Sequence, residues 1–374
     1  MTWTETTLGE LVTLQRGFDL PSKSRIPGSV PVLSAGKKIA SHNQAKVTGP
    51  GFVIGRSSNL GIPKWSDTDF WPLNTTLFAK DFKGNNPRWL FYLFQTIDLT
   101  GFNSGTAQAS LNRNYISGFS VTAPSRSEQD RIVGVLGSLD DKTAANTKVI
   151  SASRKMIQTV AETVSNTVSL DELAVRNKKS INPAKLDDPF VMHYSIPSFD
   201  SGAPMMEPTD SIKSNKMHVE RAAVLVSKLN PDTPRVWSVP APATEALSLA
   251  STEFIVLEPS EITQSQLYAA TLHPQFHRQL ASLVGGTSKS HQRVKPEDML
   301  NCIVPDVRVF TDAQIELLET LAKIEVRLTY ENLSLAKTRD ELLPLLMNGK
   351  ITVREAAQEA TAAGAEILGE ENEA

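Results

Sequence analysis

Ala123-Pro124-Ser125-Arg126-Ser127-Glu128-Gln129-Asp130-Arg131-Ile132 reads as the start of a long helix. A proline halts the preceding chain, Ser127 is placed to cap, and Asp130 brings negative charge to the first turn. Leu136, Thr143, Ile150 and Ile157 then recur every seven residues, with Leu139 and Val160 three places after the first and last. A second start, Thr311 before Asp312 and Gln314, leads into Leu321, Leu328, Leu335 and Leu342, joined by Ile324 and Leu345. Heptads kept for about four repeats predict coiled-coil seams. Asn146, Ser153, Glu331 and Thr338 are polar in those seams. Such residues cost stability and set register. They predict two imperfect helices that pair with each other and offer a surface to another subunit. The interface candidates are Leu136, Leu139, Ile150, Ile157, Leu321, Ile324, Leu328, Leu335 and Leu342. At ~1.5 Å per residue, residues 128–166 would span roughly 58 Å, a spacer rather than an internal strut.

The two helices are parts of one duplicated plan. Leu8-Gly9-Glu10-Leu11 recurs as Leu170-Asp171-Glu172-Leu173, 162 residues on. Phe52-Val53-Ile54-Gly55-Arg56 finds Val224-Leu225-Val226-Ser227-Lys228 at 172, and Leu90-Phe91 finds Leu267-Tyr268 at 177. Gly105-Thr106 finds Gly286-Thr287 at 181, and Gln129, Leu136, Leu139 and Arg154 meet Gln314, Leu321, Ile324 and Arg339 at 185. An offset that grows slowly and in order is what tandem duplication with small loop insertions leaves. Each half begins with short β-type runs among Gly, Pro, Ser and Asn and ends in its helix. The expected organisation is a mixed α/β fold. One α/β domain covers 1–127, a helix 128–166, a second α/β domain 167–310, a helix 311–349 and an acidic tail 350–374.

The 374 residues suit more than one core. No stretch approaches the roughly 18 apolar residues of a membrane helix, and the N-terminus lacks a signal-peptide pattern. A single cysteine, Cys302, excludes an internal disulfide and a cysteine-cluster metal site. A cytoplasmic protein is expected. The net charge of −3 averages unlike segments: residues 355–374 hold six glutamates and no Lys or Arg. Residues 1–126 carry 13 basic and 7 acidic groups, and residues 167–310 carry 14 and 16. A nucleic-acid partner is therefore not excluded.

Catalytic constellations are missing. Gly36-Lys37-Lys38 and Gly349-Lys350-Ile351 do not complete a P-loop, and no dinucleotide fingerprint follows a strand. His273 and His277 have a two-ligand spacing, but Pro274 and Gln275 stand between them without the acid a metalloprotease needs, so surface or interface residues are expected. Cys302 sits in an apolar run and reads as buried and structural. The balance favours a binder over a catalyst, with no metal and no cofactor on this chain.

Binding groups are easier to find. Arg56-Ser57-Ser58-Asn59 follows a strand and offers N–H groups and an arginine to phosphate. Gln108 leads to Asn112-Arg113-Asn114, whose amides and guanidinium suit base edges or phosphates. The second half offers Lys289, His291 and Arg293 at the matching place, and Lys228 where the first has Arg56. Arg16, Lys37, Lys38, Lys178 and Lys179 complete the candidate DNA-binding set.

Taken together, Leu8-Gly9-Glu10-Leu11-Val12, the strand and loop from Phe52 to Gly61, Pro72-Leu73-Asn74-Thr75-Thr76-Leu77, the Gly105-Thr106 segment, Pro124 to Ile132, and Leu343 to Ile351 resemble the specificity (S) subunit of type I restriction–modification systems. The resemblance runs from about Thr7 to Val353. It implies two target recognition domains, each reading one half of a split double-stranded DNA site, separated by two long antiparallel coiled-coil helices acting as a ruler. It further implies docking of two modification subunits, which bind S-adenosylmethionine and methylate adenine, and of restriction subunits using ATP and Mg. An S chain of this kind has no catalytic residue of its own. The second repeat departs from the pattern at Asp312-Ala313-Gln314 and Lys289-Ser290-His291. A protein-binding scaffold or inhibitor built from two repeats is the alternative, and a nuclease with a degenerate metal site a third reading.

Overall fold

The computed structural model describes residues 3–36, 40–102, 110–242, 247–283 and 292–367. The chain divides into two units, Met1–Lys142 with Leu335–Ala374, and Thr143–Ser334.

In the first unit an antiparallel sheet runs Thr13–Arg16, Thr76–Asp81, Gly51–Gly55, Pro63–Ser66. Every residue of Gly51–Gly55 is buried. Successive side chains of a strand point to opposite faces, so a strand covered on both sides must be apolar throughout. Phe52 and Ile54 pack under the helix Pro87–Thr96, while Val53 meets Phe70 and Phe78 on the other face. That helix starts where Asn86 accepts N–H groups from Arg88 and Trp89, with Pro87 in the first turn. A smaller sheet orders Ala40–His42, Val30–Leu33 and Trp71–Pro72, and Thr4–Thr7 pairs with Ser120–Ala123.

The second unit repeats the design. Its sheet runs Ala174–Asn177, Phe254–Pro259, Ala223–Ser227, Val236–Val239, again wholly antiparallel. Ala223–Ser227 is buried throughout, and Gln264–Leu272 covers one face from a Thr263 cap. Thr167–Ser169 pairs with Ile303–Pro305 as Thr4–Thr7 does with Ser120–Ala123. The side sheet grows to five strands, adding pieces such as Met205–Pro208.

Each unit takes a part of both long helices, Arg126–Glu162 (the central helix) and Asp312–Met347 (the distal helix). The helices are therefore not segments apart from the domains, as the sequence boundaries placed them. Leu136, Leu139, Leu335 and Leu342 are buried in the first unit's core, and Ile157 and Leu321 in the second's. Leu328 is buried, and Ile150 and Ile324 partly so. The candidate partner interface thus needs correcting: these side chains are consumed in packing helix on helix and helix on globule. The apolar residues that the central helix leaves open are Val149 and Met156, seven apart on one face. The helices run antiparallel: Asn146 Nδ2 donates to Asn332 Oδ1 at 2.9 Å, and eight residues on Arg154 meets Glu325.

Ser125, not Ser127, caps the central helix; its Oγ accepts from Glu128 N–H at 3.4 Å, three residues on, as capping geometry requires. Thr311 caps the distal helix, accepting from Gln314 N–H at 3.3 Å.

The acidic tail proves structured in its first part. Val353–Ala362 is a helix with a Thr352–Glu355 capping box, and Ala356 and Ala360 are fully buried in the first unit's core beside Leu346 and Met347. Residue counts had shown only the glutamates; the small apolar residues at helical spacing decide the outcome.

Among the described residues no helix is long and apolar enough to cross a membrane, and no group of three or more His, Cys, Asp or Glu is placed to hold a metal. His273 is not a free surface group: its Nδ1 caps Pro274–Ser282, accepting from Gln275 N–H at 3.3 Å. Burial holds the half-buried His277 down at about 4, and pushes the Cys302 thiol up to about 11.

Candidate nucleic-acid interface

A polar cleft of about 1100 Å³ opens on the first unit, and its walls come from four stretches distant in sequence. Arg16 ends the edge strand Thr13–Arg16, Arg56 follows the buried strand Gly51–Gly55, and Asn112-Arg113-Asn114 opens a short helix. Lys80 adds a fourth cation, and Asp19 is the carboxylate of the cleft.

The loop after Gly55 is closed by backbone hydrogen bonds, Gly55 N–H to Ile62 O and Gly61 N–H to Gly55 O. A Cβ at Gly55 would lie 2.0 Å from Asn59 O, so only glycine fits there. Asn59, with φ of 46°, donates its Nδ2 to Ala35 O at 2.6 Å. That bond ties the loop to the neighbouring segment, with Asn59 itself exposed. Ser57 is exposed beside it, with its N–H on Thr75 O.

Arg56 donates Nη1 to Asn74 O at 3.3 Å, and Arg113 donates Nη1 to Leu14 O at 3.4 Å. One tether on each guanidinium aims it without neutralising it. Asn112 uses its side-chain oxygen to cap the short helix, accepting from Asn114 N–H at 3.0 Å. Leu111 N–H bonds Arg56 O at 2.8 Å, which joins the third wall to the second.

Lys80 was not found from the sequence. Thr13 pairs with Asp81 and Leu14 with Ala79, so Lys80 is the extra residue of a bulge, thrown out of the strand's alternation. Nothing in Ala79-Lys80-Asp81 marks a bulge, because the mismatch exists only once the partner strand is in place.

In the second unit Lys228 stands at the corresponding corner, its carbonyl accepting from Val294 N–H at 2.9 Å. Arg293 is bound to Glu253 through two hydrogen bonds of 2.9 and 3.0 Å. The pair drives the Glu253 carboxyl down and the arginine up from their ordinary values. Lys179 reaches Glu220 at 2.5 Å, and Lys178 is exposed. These groups are more neutralised than those of the first cleft. Lys37, Lys38, Gln108, Lys289 and His291 lie outside the described residues.

Residues 1–152 match the family described as the type I restriction modification DNA specificity domain. The structure is similar to that of the type I restriction–modification S subunit from M. genitalium, at TM-score 0.59 and 15% identity, covering 92% of this chain and 96% of that one. The HsdS subunit from Thermoanaerobacter tengcongensis aligns over 96% of both chains at 14% identity, with a TM-score of 0.28. None of the curated proteins matches the sequence. The first match bears out the resemblance to specificity subunits, and the M. genitalium structure bears out the fold.

Proposed function

We propose, for a chain whose residues 1–152 carry a type I restriction modification DNA specificity domain and whose fold is that of a solved S subunit, that the protein reads a split double-stranded DNA site, one half with each unit. The supporting observation is the cleft on the first unit, where Arg16, Arg56, Lys80 and Arg113 converge from separate elements. Cations on different elements gain nothing from one another in the fold, since like charges repel; an anion between them offsets that cost. The tethered guanidinium groups suit phosphate oxygens, and the amide of Asn114 suits base edges.

The chain itself carries no reaction in this reading. Modification subunits supply S-adenosylmethionine and adenine methylation, restriction subunits supply ATP- and Mg-dependent cleavage, and both dock away from the buried helix seam. Val149 and Met156 are the large apolar side chains that the central helix leaves exposed.

Mapping methylated adenines in the source genome by single-molecule sequencing tests the assignment. The expected result is a split, asymmetric motif, one half of which changes when residues 1–126 are exchanged for those of another family member. A motif that ignores the exchange would overturn the reading. A scaffold that binds only protein would leave the purified assembly without DNA affinity.

A further inference from the structure

The two units build the same corner from different residues. In the first, Arg56 N–H bonds Thr75 O at 2.9 Å, and Arg56 O accepts from Leu111 N–H at 2.8 Å. In the second, Lys228 N–H bonds Glu253 O at 3.0 Å, and Lys228 O accepts from Val294 N–H at 2.9 Å. These bonds equate Lys228 with Arg56, Glu253 with Thr75, and Val294 with Leu111. Arg293 then takes the place of Ser110, a wall residue of the first cleft. Two neutral residues in one unit correspond to an ion pair in the other.

The geometry of that pair is specific. Arg293 Nε and Nη2 donate side-on to the two oxygens of Glu253, at 3.0 and 2.9 Å. Glu253 keeps 25% of its side chain exposed and Arg293 keeps 45%. The side-on edge of the guanidinium is taken, and its end-on pair, one N–H from Nη1 and one from Nη2, has no hydrogen bond among the described residues. Two parallel N–H donors held in a fixed plane match the O6 and N7 acceptors of guanine in the major groove. They are poorly suited to a backbone phosphate, because the adjoining carboxylate repels it and cancels the arginine's net charge.

We propose that Arg293 reads a guanine in the half-site of the second unit, and that Glu253 is the positioning residue that fixes its plane. The inference rests on the reading of the chain as a DNA-specificity subunit. It divides labour between the repeats: the first cleft supplies phosphate attraction, and this corner of the second supplies discrimination. An arginine without that carboxylate keeps its full charge and also holds phosphates of any sequence.

The test is selection from a randomised duplex DNA library by the full chain co-purified with its modification subunits, followed by sequencing. Wild type is expected to enrich a split motif with a guanine in the second half. Glu253→Gln, which frees the arginine, is expected to lower that guanine's preference about tenfold or more and to steepen the salt dependence of binding by about one unit of slope. Arg293→Lys keeps the charge and loses the fork, so it should lose the guanine preference while holding unselected DNA as well as wild type. Thermal melting confirms that both variants fold. If wild type enriches a motif and both variants enrich the same one, the inference is overturned and the DNA reading stands. If wild type enriches nothing, the DNA reading itself falls, and this inference with it.

Discussion

At the scale of the residue, what matters is whether a charge is already spent inside the protein. Arg56 and Arg113 each give one N–H to a carbonyl and keep their charge. Replacing either by alanine should weaken binding of every duplex alike and lower the slope of log affinity against log salt by about 1, read by anisotropy titrations across salt concentrations. Lys80→Ala should do the same, although sequence gave no sign of it. Asn59→Ala should act differently: it removes the tie to Ala35 O, so its effect on DNA follows from loosening the loop and is accompanied by lower thermal stability. His277 predicts a pH dependence. Burial depresses its folded value to about 4, below the ordinary 6.5. Between those values the unfolded chain binds more protons than the folded one, so stability falls as pH drops from 6.5 toward 4. Denaturant melts over that range should show the loss, and His277→Leu should blunt it.

At the scale of the element, the helix pair is held by a device used twice. In the second unit Arg154 donates to Glu325 at 2.6 Å, and the Tyr268 hydroxyl donates to the same carboxylate at 3.0 Å. In the first, Arg339 lies 3.5 Å from Asp140, which accepts from the Tyr92 hydroxyl at 2.7 Å. Arg154 and Arg339 are 185 residues apart, and so are Asp140 and Glu325. The tyrosines come from the helices that cover each sheet, so each cluster bolts both long helices to their globule. Glu325 is the more buried acid, at 4% exposure against 30% for Asp140. Arg154→Ala should therefore destabilise the second unit by roughly 2–4 kcal/mol, since it strands a carboxylate away from water, while Arg339→Ala should cost the first unit less. Urea unfolding of the two variants compares them. Heptad spacing located these helices well, because periodicity is a local property. It misassigned the use of their apolar face, because the helix partner and the domain floor both compete for it.

At the scale of the whole molecule, the −3 charge conceals a first cleft of four cations, a second corner closed by an ion pair, and a glutamate-bearing helix that packs by its alanines. Deleting residues 351–374 should expose Leu346 and Met347, reduce the melting temperature of the first unit and increase binding of hydrophobic dye, rather than merely shift the charge. The duplication, the mixed α/β class and the two long helices were legible in the linear order, as was the family resemblance. Each depends on composition, spacing or a slowly growing offset within one chain. Only tertiary structure decided that Lys80 joins the cleft, that Asn59 ties its loop to Ala35 O, and that Glu253 holds Arg293. The physical reason is the same in most of these cases. A side chain's role depends on which distant backbone group or charge becomes its nearest partner, and that distance is not defined until the strands have paired and the loops have closed.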